Sequence, residues 1–174
     1  MSTWNIDIGH SELGFKVKHL LVSTVKGHFT AFEGTLAAAD DTFEGAKLTL
    51  SADIKSVSTN NAARDGHLLS GDFFEAEQFP KLTFVSKSFT KKDSGSFEVT
   101  GDLTMRGVTK EVAVHATLHG IGTGMDGKRV AAFEVTGKIN RMDFGVKWNS
   151  ALEAGGFTLG EEVMLDATME LKEA

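Results

Sequence analysis

The sequence predicts an all-β protein whose consecutive antiparallel strands close into a barrel or fold over one another as a sandwich, with one short helix. Three observations carry this. Apolar and polar residues alternate with period two along about eight separate stretches, the pattern of strands with one dry face and one wet face. Glycine is abundant, at 19 of 174 residues, while proline occurs once, which suits many tight turns. A single interval reads as helix, too little to cover the dry faces of so many strands, so those faces must cover each other.

Taken in order, the alternating stretches fall at about 12–19, 27–36, 46–54 and 81–89. The helical interval runs from Ser58 to Leu69, where Ser58 or Thr59 can cap an alanine-rich middle, and a short helical piece is also read around His19 to Thr24. Pro80 falls where the strand at 81 begins, a position that needs no ladder N–H. The clearest alternation follows: Phe97, Val99, Gly101, Leu103 and Met105 on one face, then Val112, Val114, Ala116 and Leu118, with Gly107 turning the chain between them as a hairpin. The last two stretches lie at 129–139 and 162–172. GTGMDG at 122–127 formally matches G-x-G-x-x-G, but a strand pattern follows it rather than a helix, so Asp126-Gly127 reads as a hairpin turn.

The length suits one domain over residues 1–174, and with glycine counted the apolar share reaches about 52%, which excludes disorder for the bulk of the chain. A net charge of −6 opposes binding to a phosphate backbone, so no nucleic-acid partner is expected. The absence of cysteine removes disulfides, thiolate metal sites and thiol nucleophiles. The longest uncharged aliphatic run is about four residues against the ~20 that span a bilayer, so no transmembrane segment is read. No basic segment leads into an apolar stretch near Met1, which places the expectation in the cytoplasm, with the periplasm as the alternative if a signal peptide was removed.

Histidines invite a metal reading that their spacing does not support. His115 and His119 lie about 13 Å apart on one strand, and His10, His19 and His28 come with no H-E-x-x-H or His-x-His pattern. No metal, cofactor or catalytic set is therefore assigned. Arg64, Asp65 and His67 form a constellation within one helical turn that can cap a barrel end, or can meet a polar head group at its mouth. Phe73, Phe74, Phe79 and Phe84 around Pro80 are too many rings for one strand face and suit a plug or a pocket lining. Small residues on the inward faces, Gly101, Ala116, Gly137 and Ala167, point to a partly open interior.

Several ordered blocks together resemble one bacterial family. They are His10-Ser11, His19, VKGHF (25–29), RDGHL (64–68), DFF (72–74), FPKLTF (79–84), GDLTMRGVTKEV (101–112) and NRMDFG (140–145), and the chain is similar over nearly its whole length to the YceI-like family. The resemblance implies an eight-stranded lipocalin-like β-barrel, with the helix at about 59–69, that holds a polyisoprenoid or another long-chain amphiphilic lipid and in some members forms a homodimer.

On this basis the chain is expected to be a carrier or storage protein for a polyisoprenoid, a quinone-like lipid or a fatty amide. The apolar lining expected from inward-facing positions is Phe15, Val17, Phe29, Leu48, Leu50, Leu68, Phe73, Phe84, Leu103, Met105, Val112, Val114, Phe133, Val135, Phe144 and Leu165. His19, Arg64 and His67 are the polar residues expected at the mouth. Two alternatives stand beside this reading: an enzyme acting on an isoprenoid-type lipid with His10, His19 or His67 as acid or base, and a barrel with a filled core that serves only interaction.

Overall fold

The computed structural model describes residues 1–153 and 155–174. In chain order the elements are β1 (Ser2–Ile6), β2 (Glu12–His19), β3 (Ser23–Phe29), β4 (Phe32–Ala38), β5 (Lys47–Asp53), β6 (Val57–Ser58), α1 (Ala62–Leu69), β7 (Lys81–Asp93), β8 (Ser96–Met105), β9 (Val108–Thr123), β10 (Arg129–Asn140) and β11 (Leu159–Glu173). Single 3-10 turns lie at Ile8–His10, Ile54–Ser56 and Arg141–Phe144. No helix among the described residues is long and apolar enough to cross a membrane.

The strands pair antiparallel in the order β1-β4-β5-β7-β8-β9-β10-β11, and β11 pairs back onto β1, so eight strands form a closed barrel. The remaining three, β2, β3 and β6, continue from β11 as a flanking limb. The ring's members differ from the eight stretches read in the sequence. Strand β1 has only five residues, too few to display a period, yet it closes the ring, while β2 stands in the limb. The single stretch read at 27–36 is two strands, because the chain turns a corner at Thr30, whose N–H donates to the Ser56 carbonyl at 3.1 Å.

Two corrections concern the helix. Its first residue is Ala62, and its N-cap is Asn61, whose side chain accepts from the Arg64 N–H at 3.0 Å. Val57–Ser58 is instead the short strand β6 against β3, and Thr59 is held outside the helix by Asp65, whose Oδ1 accepts from the Thr59 N–H at 2.8 Å and from its hydroxyl at 2.6 Å. The segment around 19–24 is not helical. It is the tight turn between β2 and β3, with His19 paired opposite Ser23. Of residues 122–127, Gly122 and Thr123 end β9 and the rest belong to the turn into β10, where the Gly124 N–H donates to Lys128 O at 2.8 Å and Gly127 takes φ +81°.

The core lies inside the ring and is aromatic at one end. Trp4 packs on Phe43 with centroids 5.6 Å apart, Phe43 on Phe133 at 5.3 Å, and Phe89 on Phe97 at 5.0 Å. All are buried, and edge-to-face and tilted ring packing of this kind adds to the area each ring removes from water. A second cluster, built on Phe29, Phe32, Ala52, Ile54, Val57 and Ala76, fills the space between the limb and the barrel wall.

Replacing the observed cap, Asn61→Ala, is expected to lower the unfolding free energy by about 1 kcal/mol in urea titration. Ser58→Ala is expected to stay within about 0.5 kcal/mol. Equal losses at the two positions would place the cap wrongly.

Candidate functional site

An apolar cavity of about 400 Å³ occupies the interior between the aromatic floor and the opposite rim. Phe15 and Val17 of β2, Phe29 of β3, Leu48 and Leu50 of β5 and Phe84 of β7 line it. So do Leu103 and Met105 of β8, Val112 and Val114 of β9, Phe133 and Val135 of β10 and Leu165 of β11, with Leu68 and Phe73 from α1 and the turn after it. These residues are brought together because alternate strand residues share a face, so each strand lends the cavity every second side chain.

Phe144 is the exception. It is buried but lies outside the cavity wall, because it sits in the 3-10 turn at Arg141–Phe144, where strand alternation has ended. Of the rings around Pro80, Phe73, Phe74 and Phe84 line the cavity, while Phe79 packs against Gly107, 2.6 Å from where a Cβ would stand. Gly101 and Gly137 are also not open volume. A Cβ on Gly101 would come within 2.6 Å of the Phe84 ring, and one on Gly137 within 2.8 Å of Val114 Cγ1, so neighbouring side chains occupy those places. Gly27, opposite Phe15 in the β2–β3 ladder, is likewise covered by the Phe15 ring.

Polar groups gather at the rim. His19, Arg64 and His67 all reach the cavity, joined by Thr59, Arg141 and Thr158. The Arg64 guanidinium is committed to Thr59: Nε donates to Thr59 Oγ1 and Nη2 to Thr59 O, each at 2.7 Å. His67 Nε2 lies 2.8 Å from Asp72 Oδ2, and its ring stands edge-on to Phe73 and to Trp148, with centroids 5.0 and 4.9 Å away.

Trp148 and Arg141 carry no sequence signal as cavity residues, since Trp148 lies in an irregular segment and Arg141 just past the end of a strand. Arg141 is only 4% exposed. Its Nε donates to Gly160 O at 2.8 Å, and its Nη1 to Val146 O at 2.8 Å and Trp148 O at 2.9 Å. It thereby ties the segment after β10 to the start of β11 and fixes the Trp148 ring over His67. Burial pushes its guanidinium below the ordinary arginine value, and the Glu161 carboxylate opposes this.

His10 stands apart from the cavity wall. Its Nδ1 lies 2.9 Å from Asp7 Oδ2 and 3.8 Å from Glu170 Oε1. Asp7, His10 and Glu170 each bring one potential ligand atom within 4.8 Å of the others, a grouping hidden from sequence because Glu170 arrives from the far end of the chain. Lys172 Nζ, 4.0 Å from Asp7, already places a positive charge beside that group. The hydrogen bond to Asp7, then the charge of Glu170, raise the pKa of His10 above its ordinary value. Among the three histidines considered as acid or base, His19 and His67 therefore line the cavity and His10 does not.

Comparison with known proteins places this geometry. A family model described as YceI-like domain matches residues 4–171. A UPF0312 protein of Staphylococcus aureus strain MSSA476 is 41% identical over 171 residues, covering 98% of this chain and 97% of the relative. The crystal structure of a Campylobacter jejuni YCEI protein superposes with a TM-score of 0.76 at 34% identity over 90% of both chains. A polyisoprenoid binding domain from Saccharophagus degradans shares the fold, with a TM-score of 0.73 at 15% identity over 98% of both chains.

Arg141→Met is expected to destabilise the fold by about 3 kcal/mol in denaturant titration, because three carbonyls lose a charged donor. A loss below about 1 kcal/mol would show that the clamp is not formed in solution. By NMR titration, the His10 midpoint is expected above about 6.5 and is expected to fall in Asp7→Asn. The sign follows from both shifts: the hydrogen bond raises His10 and lowers Asp7, so the stability this pair contributes is lost as pH rises through the raised His10 pKa and lost again as pH falls through the lowered Asp7 pKa. A midpoint unmoved by Asp7→Asn would refute the pairing.

Proposed function

The chain belongs to the YceI-like family, and from that premise we propose that its barrel holds one long-chain amphiphilic lipid and serves as its carrier or store. The ligand classes in view are a polyisoprenoid, a quinone-like lipid and a fatty amide. The observation that carries the reading is the cavity itself. Its volume of about 400 Å³ lies within the range of small-molecule sites, and its wall is hydrocarbon from floor to rim. Each ~100 Å² of ligand hydrocarbon withdrawn from water there contributes about 2.5 kcal/mol. The polar groups sit where a head group would emerge, with His67, His19 and Thr158 at the rim. The shared fold of the Saccharophagus degradans polyisoprenoid binding domain lends support at the level of architecture.

The open interior weighs against a filled barrel that serves only interaction. The His67–Asp72 pair serves a second reading, an enzyme acting on an isoprenoid-type lipid with His67 as acid or base.

Solvent extraction of the purified protein followed by mass spectrometry is expected to release a long-chain lipid in a near one-to-one ratio, unaltered on incubation. Chemical turnover of that lipid would favour the enzyme. Absence of any lipid, together with failure to take up a long-chain fluorescent probe, would sink the binding reading. Within this test Val114→Glu, which sets a carboxylate against the apolar wall, is expected to abolish lipid retention and lower stability by several kcal/mol. His115→Glu, one residue along on the outer face opposite Glu98, is expected to leave both nearly intact.

A further inference from the structure

The turn joining β2 to β3 places hydrophobic residues where hairpin chemistry disfavours them. Leu20 and Leu21 have φ of 54° and 64°, and the Val22 N–H donates to the His19 carbonyl at 3.3 Å. Two positive φ angles at the centre of such a turn normally select Asn-Gly. For leucine this left-handed conformation is strained. Leu20, Leu21 and Val22 are 44, 67 and 86% exposed.

A second apolar side chain stands beside them. Phe157 is 55% exposed in the segment that precedes β11. The Leu20 N–H donates to Thr158 O at 2.8 Å, and a Cβ on Gly156 would lie 3.5 Å from Leu21 Cδ1, so the two loops form one patch. From Leu20 to Ser23 and from Gly155 to Gly160 no residue carries a formal charge. The patch borders the cavity, since His19, Thr158 and Leu159, its direct chain neighbours, are cavity-lining residues at the rim.

The geometry points to a bilayer-docking collar: the rim seats on a lipid bilayer, with Leu20, Leu21, Val22 and Phe157 inserted at the headgroup boundary and the cavity mouth facing the membrane. This rests on the reading of the cavity as a lipid site, and it supplies the route by which lipid enters and leaves without crossing water. Area argues for a bilayer over a second copy of the chain. At roughly 200 Å² for a whole large side chain, these exposures leave on the order of 500 Å² to cover. A standard protein interface takes about 800 Å² per partner, whereas interfacial anchoring needs only a few apolar side chains reaching the acyl boundary. Charge argues that insertion rather than attraction drives the contact, because the protein carries a net charge of −6 and the patch none.

The test uses the full chain and vesicles of phosphatidylcholine, with and without added anionic lipid, separated by flotation. The wild type is expected to float with neutral vesicles, and anionic lipid is expected not to strengthen binding. The double variant Leu20→Asn/Leu21→Gly is expected to float at least about tenfold less. The same variant is expected to melt at higher temperature, because the turn strain is relieved, and to keep its lipid in solution unchanged. A wild type that carries lipid yet never floats would overturn the collar and leave the cavity reading intact. A protein that floats but holds no lipid and takes up no long-chain fluorescent probe would sink the cavity reading and support the collar. Loss of lipid by the variant in solution would place the turn in the cavity rather than on a membrane, and a dimer lost in the variant without any flotation would make a second copy the occupant. Either result overturns the proposal.

Discussion

The pairing of β1 with β11 at Trp4–Glu173, Asn5–Lys172 and Ile6–Leu171 converts an open sheet into a ring, and the dry interior depends on it. Three residue pairs are a short seam, and the chain reinforces it from both sides. Strand β1 pairs on its other edge with β4 over Ser2–Asn5, so it is a central strand with both edges used. Where the chain breaks between β1 and β2, the backbone N–H of Asp7 donates to Glu170 O at 2.8 Å, and Ser11 Oγ accepts from the Glu170 N–H at 2.9 Å. The break therefore leaves Glu170 with both main-chain groups paired, which matters because an unpaired edge would invite association with another chain.

Given closure, the cavity follows from how side-chain volume is distributed. Trp4, Phe43, Phe97 and Phe133 pack against one another and fill the floor, while Ala116 and Ala167 lend the wall little bulk. An eight-stranded barrel is just wide enough to be filled or to enclose one small molecule, so this uneven distribution decides between the two. At the rim, order passes from the buried Arg141 through the Trp148 carbonyl to the Trp148 ring and on to His67 and Phe73. An arginine spent on main-chain carbonyls thus sets the shape of an aromatic surface two elements away.

Much of this was legible in the sequence wherever a strand was long enough to show its period. Val112, Val114 and Leu103 line the cavity on the phase that alternation assigned them, because a strand's two faces differ by a single residue and burial fixes the choice. The places of Phe144 and Trp148 are not legible in the sequence, because no period runs through a 3-10 turn or an irregular segment. The five-residue β1 was invisible for the same reason, and its role is a property of closure rather than of its residues. Thr59 read as a helix cap on composition, but Asp65 and Arg64 bind it more completely than a helix terminus would, and Asn61 takes the cap. The cluster of Asp7, His10 and Glu170 lay beyond reach because it joins residues some 160 positions apart.

The seam between β1 and β11 also dictates the order in which the protein can be made. Strand β11 is the last to leave the ribosome, and it is the neighbour of β10, β1 and β2 alike. Until it arrives, β10 and β1 each wait with a free edge and the aromatic floor has no lid, so the nascent chain holds an incomplete hydrophobic half-shell. Strands as far apart in sequence as β1 and β11 pair slowly, since the loop their pairing closes is long. Ring closure therefore waits on the last of the eleven strands, and the dry interior exists only once that seam has formed.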